Sequence, residues 1–155
     1  MLREGTPAPD FEAVLDNGDT FRLSDYQGRK NVVLYFYPKD FTPGCTREAC
    51  AFRDNYAEME QYNAVIVGVS TDSAESHRAF REKHELPFPL IPDPEKRVVK
   101  LYRAQGFLGF ITARVTYVID KEGVIRAAFQ HDFAIGRHLP QAFDTLREIE
   151  RAPAV

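Results

Sequence analysis

The chain of 155 residues has no tryptophan, only two cysteines and two methionines, and no large excess of either charge. Its net charge is -3, with acidic and basic residues interspersed, so it carries no basic stripe of the kind that tracks nucleic acid. Two cysteines are too few for a disulfide-dense secreted scaffold or for a four-thiolate zinc site, which leaves structural filler or redox chemistry. Long apolar runs are missing too. The longest, NVVLYFY at 31–37 and VIVGV at 65–69, have strand length, far short of the roughly 20 residues that cross a membrane. The first residues, MLREGTPAPDFEAV, carry charges and prolines where a signal peptide needs an apolar run, so the expected location is cytoplasmic.

What is present is enough for one domain over residues 1–155, since a chain of this size buries roughly 68–70% of its unfolded surface without staples. Turn residues Asp16-Asn17-Gly18-Asp19 between FEAVL and TFRL predict an N-terminal hairpin. The run Asn31 to Tyr37, ended by Pro38, predicts a central strand covered on both faces. Further strands are expected at Ala64–Ser70, near Pro89–Ile91, at Val115–Ile119 and at Val124–Phe129. Helices are expected over Pro43–Gln61, Ser73–His84, Pro94–Arg103 and Arg137–Arg151. The fold class is α/β, a mixed central sheet sandwiched by helices.

Both cysteines fall where the central strand gives way to the next helix, in YFYPKDFTPGCTREAC. Cys45, Ala49, Phe52, Tyr56 and Met59 recur at helical spacing, which places Cys45 on the core-facing stripe. Cys50, five residues on, lies about 140° round the helix, on a more polar side. In an intact helix their Cα atoms would be about 8.7 Å apart, beyond the roughly 7 Å reach of a disulfide. The spacing therefore describes a nucleophile in a pocket and a partner reached only after the first turns of the helix open. Thr42 suits the N-cap, Pro43 the first helical position, and Cys45 then falls third, where free N–H groups stabilise a thiolate. Arg114, just ahead of the Val115 strand, is the candidate cation.

Plainer readings compete on the residues alone. A lone cysteine on an apolar face is more often a small buried hydrophobe, and spacing by itself makes Arg114 an ordinary surface arginine. His77, His84, His131 and His138 lack compact metal-ligand spacing and are expected to be solvated.

The stretch LSDYQGRKNVVLYFYPKDFTPGCTREACAFRD, Leu23 to Asp54, resembles the signature of the peroxiredoxins, in their bacterioferritin-comigratory-protein or Q-type branch. It contains that family's proline, threonine and cysteine at the right spacing, here Pro38, Thr42 and Cys45, and the Q-type second cysteine at Cys50. The segments GTPAPDFEA, VIVGVSTDS and RVTYVIDKEGVIR extend the likeness over most of the chain. The resemblance implies a thioredoxin-like fold and thiol-dependent reduction of hydrogen peroxide and organic hydroperoxides. It makes Cys45 the peroxidatic cysteine, Thr42 its hydrogen-bonding neighbour, Pro38 the shield of the pocket, Arg114 the active-site arginine and Cys50 the resolving cysteine. It implies thioredoxin or a similar dithiol as reductant, a monomer or weak homodimer, and no metal, haem or flavin.

Two other readings stay open at this point. A thiol-disulfide oxidoreductase on such a fold usually shows C-x-x-C, whereas four residues intervene here and Ile111–Thr116 holds no proline. A redox-responsive binding or chaperone-like module is the other, with no partner named by the residues.

Overall fold

The computed structural model describes residues 1–106, 109, 111–132 and 134–151, so the last four residues of the expected 1–155 domain lie outside it. Strands β1 (Glu12–Val14) and β2 (Thr20–Arg22) form the expected antiparallel hairpin, with Ala13 opposite Phe21. The five remaining strands are β3 (Asn31–Phe36), β4 (Ala64–Ser70), β5 (Leu90–Pro92), β6 (Val115–Ile119) and β7 (Ile125–Gln130). They make one mixed sheet in the order β5-β4-β3-β6-β7. β3 is its centre, parallel to β4 and antiparallel to β6.

Every residue of β3 is buried, because alternate side chains feed two different cores. Val32, Leu34 and Phe36 join Val67, Val69, Tyr102 and Tyr117 on one face. Val33, Tyr35 and Tyr37 join Cys45, Ala49, Phe52, Phe80 and Phe143 on the other. The second face is covered by α1 (Pro43–Asp54), α2 (Tyr56–Glu60), α3 (Ala74–His84) and α5 (His138–Arg151), while α4 (Arg97–Leu101) packs on the first with the hairpin. No described helix is long and apolar enough to cross a membrane.

Two helices differ from expectation. The helix expected over Pro43–Gln61 breaks at Asn55, whose amide donates to the carbonyl of Ala51 at 2.9 Å and whose backbone leaves helical geometry (φ -116°, ψ 9°). A short amide side chain has competed with the backbone ladder. The helix expected from Pro94 starts only at Arg97, because Lys96 takes a left-handed conformation (φ 61°) and its N–H closes a turn onto Asp93.

Candidate active site

The site is built where the C-terminal end of β3 hands over to the N-terminus of α1. Tyr37 is still held to the sheet, its N–H donating to Val69 O at 3.1 Å. Pro38 and Lys39 then turn the chain, and Asp40 anchors it. The Asp40 carboxylate accepts from Tyr37 Oη at 2.6 Å and Ser76 Oγ at 2.8 Å, and meets His77 Nδ1 at 2.6 Å. Its own N–H donates to Asp72 at 2.7 Å, and Ser70 Oγ donates to the same Asp72 oxygen. Both nitrogens of the buried His77 ring face oxygen acceptors, Asp40 and the carbonyl of Ile91. Asp40, Asp72 and His77 gather three ligand-like atoms within 4.8 Å of one another, but hydrogen bonds within the protein already engage them, and the cluster reads as a brace.

Held by that brace, Phe41 adopts a left-handed backbone (φ 65°), with its ring edge-on to Phe80 at 5.2 Å. Thr42 occupies the N-cap position and Pro43 the first helical position, as the sequence predicts. The expected capping hydrogen bond is not made. Instead Thr42 Oγ1 donates to the carbonyl of Lys39 at 2.8 Å, because the tight turn brings that acceptor nearer than the helix amides.

Cys45 is the third residue of α1, and its residual exposure is 1%. Arg114 ends the loop before β6 and is itself only 5% exposed, so it is no surface arginine. Its Nη2 donates to Cys45 Sγ at 3.3 Å and its Nη1 to Glu48 Oε1 at 2.9 Å, while its backbone N–H donates to Asp132 at 2.9 Å. The guanidinium Nε is buried and has no hydrogen-bond partner among the described residues. Burial works against the Arg114 charge, but Glu48 and Cys45 outweigh it and raise its pKa above the ordinary arginine value. Gly44 makes this approach possible. A Cβ there would lie 2.6 Å from Ile135 Cδ1 and 3.3 Å from Arg114 Nη2.

Glu48 was not singled out by the sequence, although its offset of three from Cys45 puts both on one side of α1. Burial pushes its carboxyl up to about 7 against the opposing pull of Arg114. Its second oxygen is 3.6 Å from His138 Nδ1. Burial lowers His138 to about 4, so the ring is neutral at neutral pH and this contact is no ion pair. With Nε2 donating to the carbonyl of His131 at 3.2 Å, Nδ1 is the acceptor for the Thr116 hydroxyl at 2.8 Å. His77 and His138 are thus interior residues, against the expectation that all four histidines are solvated. Each lies on a helix face that turns toward the core and finds oxygen partners there.

Cys50 is half-buried on another side of α1, and both cysteines are free thiols. The structure brings together Cys45, Thr42, Arg114 and the turn containing Pro38, and keeps Cys50 apart from them on intact helix. The arrangement can hold a thiolate beside a guanidinium at a helix N-terminus and offer further donors to an oxygen atom bound next to the sulfur.

The AhpC/TSA family model matches residues 5–128. Peroxiredoxin Bcp of Bacillus subtilis is 42% identical over 153 residues, covering 94% of this chain and 95% of the relative. Among solved structures, peroxidoxin BcpB from Mycobacterium tuberculosis superposes with a TM-score of 0.88 at 35% identity, over 96% of this chain and 99% of that one. The bacterioferritin comigratory protein of Xanthomonas campestris, whose structures address alkyl peroxide reduction, gives 0.86 at 26% identity, over 96% and 100%.

Proposed function

The chain belongs to the AhpC/TSA family, as a thioredoxin-like peroxiredoxin of the Bcp or Q type, and from that premise we propose that Cys45 is its peroxidatic cysteine, with Arg114, Thr42 and Pro38 completing the site. The protein is a thiol peroxidase, and its substrates are hydrogen peroxide and organic hydroperoxides. The observation that carries the site assignment is the 3.3 Å hydrogen bond from Arg114 Nη2 to a buried Cys45 Sγ in the first turn of α1.

The thiolate sulfur attacks one peroxide oxygen in line with the O–O bond. That bond breaks, and its electron pair leaves on the second oxygen as hydroxide or alkoxide, which takes up a proton to become water or alcohol. Cys45 keeps the first oxygen as a sulfenic acid. The Arg114 guanidinium beside the sulfur donates to the oxygens as charge moves between them, and the Thr42 hydroxyl, whose proton goes to Lys39, can accept from the peroxide O–H. Pro38, half-buried in the turn ahead of the helix, limits water at the sulfur.

Cys50 then resolves the sulfenic acid. Residues five apart on a helix hold their Cα atoms about 8.7 Å apart, so the start of α1 must unwind before the sulfurs meet. The resulting disulfide is reduced by thioredoxin or a similar dithiol through exchange. We read residues 1–155 as one domain, which two cores sharing one sheet support, and as acting in the cytoplasm as a monomer or weak homodimer.

Reduced protein mixed with equimolar hydrogen peroxide in a quenched-flow apparatus, with peptide mass spectrometry of the products, tests this. Rapid thiol loss that disappears in Cys45→Ser, and a Cys45–Cys50 linkage in the unsubstituted protein, are expected. Cys50→Ser should still consume one equivalent but accumulate sulfenic or overoxidised Cys45. Oxidation no faster than that of a free thiol would overturn the assignment.

A further inference from the structure

We infer that His84 is the base that removes the thiol proton of Cys50 when Cys50 attacks the oxidised Cys45; the step rests on Cys50 being the resolving cysteine. Cys50 Sγ lies 3.9 Å from Nδ1 of His84, the last residue of α3 and one that the peroxide site does not use. That is within hydrogen-bond distance for sulfur, and the thiol donates in the tautomer that leaves Nδ1 without a proton.

His84 is held in place at its backbone and at its ring. The His84 carbonyl accepts from Arg53 Nη1 at 2.8 Å, and Arg53, three residues beyond Cys50, lies on the same side of α1. The ring itself packs edge-on against the fully buried Phe80, with centroids 5.2 Å apart. Each of these anchors belongs to α3 or to the part of α1 that follows Cys50. Buried Phe52 and the bond from Asn55 to Ala51 hold the same part of α1. When the first turns open, Cys45 is freed while Cys50 stays opposite His84. The half of the helix that remains folded thus presents the resolving thiol with its proton acceptor already in place.

The chemistry balances without an outside oxidant. His84 Nδ1 takes the proton from Cys50 Sγ, and the sulfur lone pair forms a bond to Cys45 Sγ. The Cys45 S–O bond breaks, and the departing hydroxide takes up a proton to leave as water, after which His84 returns to its neutral form. Sulfenic acid plus thiol become disulfide plus water. A thiolate is the attacking species in such an exchange, so a base within reach of Cys50 acts on this step and not on the reaction with peroxide.

The test is His84→Asn in the full chain, with His84→Gln alongside, followed by the same quenched-flow mapping. Asparagine places an amide near the position of Nδ1 but cannot take up a proton. Oxidation of Cys45 by peroxide should proceed in both variants, which also reports that they are folded. Formation of the Cys45–Cys50 disulfide should slow about 10²-fold, the modest end of general-base effects. Added imidazole should restore it in proportion to concentration, while sodium chloride at matched ionic strength should not. A disulfide that forms at the unsubstituted rate, or a slow step that imidazole fails to restore, overturns the role of His84. If the unsubstituted protein never forms a Cys45–Cys50 linkage, the assignment of Cys50 as resolving cysteine fails instead.

Discussion

Replacing Glu48 with glutamine should make the protein more stable at pH 8 than at pH 5, relative to the unsubstituted chain. Unfolded, this carboxyl ionises near 4.5, whereas in the folded protein burial holds it at about 7 even with Arg114 Nη1 donating to it at 2.9 Å. Because the folded pKa is raised, the folded state binds the proton more tightly. Glu48 therefore costs nothing below about 4.5, costs progressively more as the pH rises through the window, and reaches its full cost above about 7. A displacement of that size is worth about 3 kcal/mol at about 1.36 kcal/mol per pH unit. Glutamine keeps the shape and an acceptor for Arg114 but has nothing to ionise. The neighbouring His138, lowered by burial from 6.5 to about 4, weakens stability on the acid side of the same window, but it is present in both proteins and, like other shared groups, cancels in the difference. Urea unfolding followed by circular dichroism and tyrosine fluorescence, at intervals from pH 4.5 to 8, measures that difference. It should grow from near zero to about 3 kcal/mol in favour of glutamine. A flat difference, or a glutamine variant that loses ground as pH rises, would refute the reasoning. Activity should move the other way. The guanidinium loses its anionic anchor, and peroxide reduction should fall by about tenfold, less than the loss of a donor outright. The buried carboxylate that costs stability is the one that holds Arg114 beside the sulfur.

Arg114→Met removes the donor to Cys45 Sγ and should slow oxidation by peroxide about 10²–10³-fold in stopped-flow thiol assays, with Arg114→Lys intermediate because one ammonium cannot reproduce the fork that serves Glu48 and Cys45 together. Thr42→Val should cost only about 1 kcal/mol in urea unfolding, since the hydroxyl bonds Lys39 and caps nothing, yet should slow peroxide reduction about tenfold or more. Native-state hydrogen exchange should show the amides of residues 46–49 opening at lower free energy than those of 51–54; equal protection along α1 would remove local unwinding from the mechanism.

The sheet was legible because its central strand is apolar at every position after Asn31 and its apolar run ends at a proline, and the cysteine helix because its stripe keeps one period from Cys45 to Met59. Helical spacing alone suggested Cys45 as a nucleophile behind a Thr42 cap, whereas the proposed roles of Pro38 and Arg114 came from the family resemblance, spacing having left Arg114 an ordinary surface arginine. The surroundings of Arg114 were not legible. Glu48 reads locally as a solvent-facing charge, and only Arg114, 66 residues away, and His138 from α5 make it an interior group. The buried histidines escaped for the same reason, as His77 is satisfied by the carboxylate of Asp40 and a carbonyl on β5, and His138 by a hydroxyl on β6. Local pattern records which face a residue takes, while the partner that pays for burying its polar atoms comes from elsewhere in the chain.

Strength is unevenly distributed around Cys45, and the distribution suits the chemistry. Ahead of it, the loop is bound through Asp40 to Tyr37, Ser76, His77 and Asp72. Beyond Cys50, α1 is held by Phe52 in the core and by Arg53 on the end of α3. Between these anchors the first turn lacks its side-chain cap, a deficit of about 1 kcal/mol, and contains Gly44, which costs a helix about 1 kcal/mol relative to alanine. Alanine would recover that propensity but would press a methyl group against Ile135 and Arg114. On the proposed mechanism, the glycine that spares Arg114 a close contact beside the sulfur also lowers the cost of opening this turn for resolution.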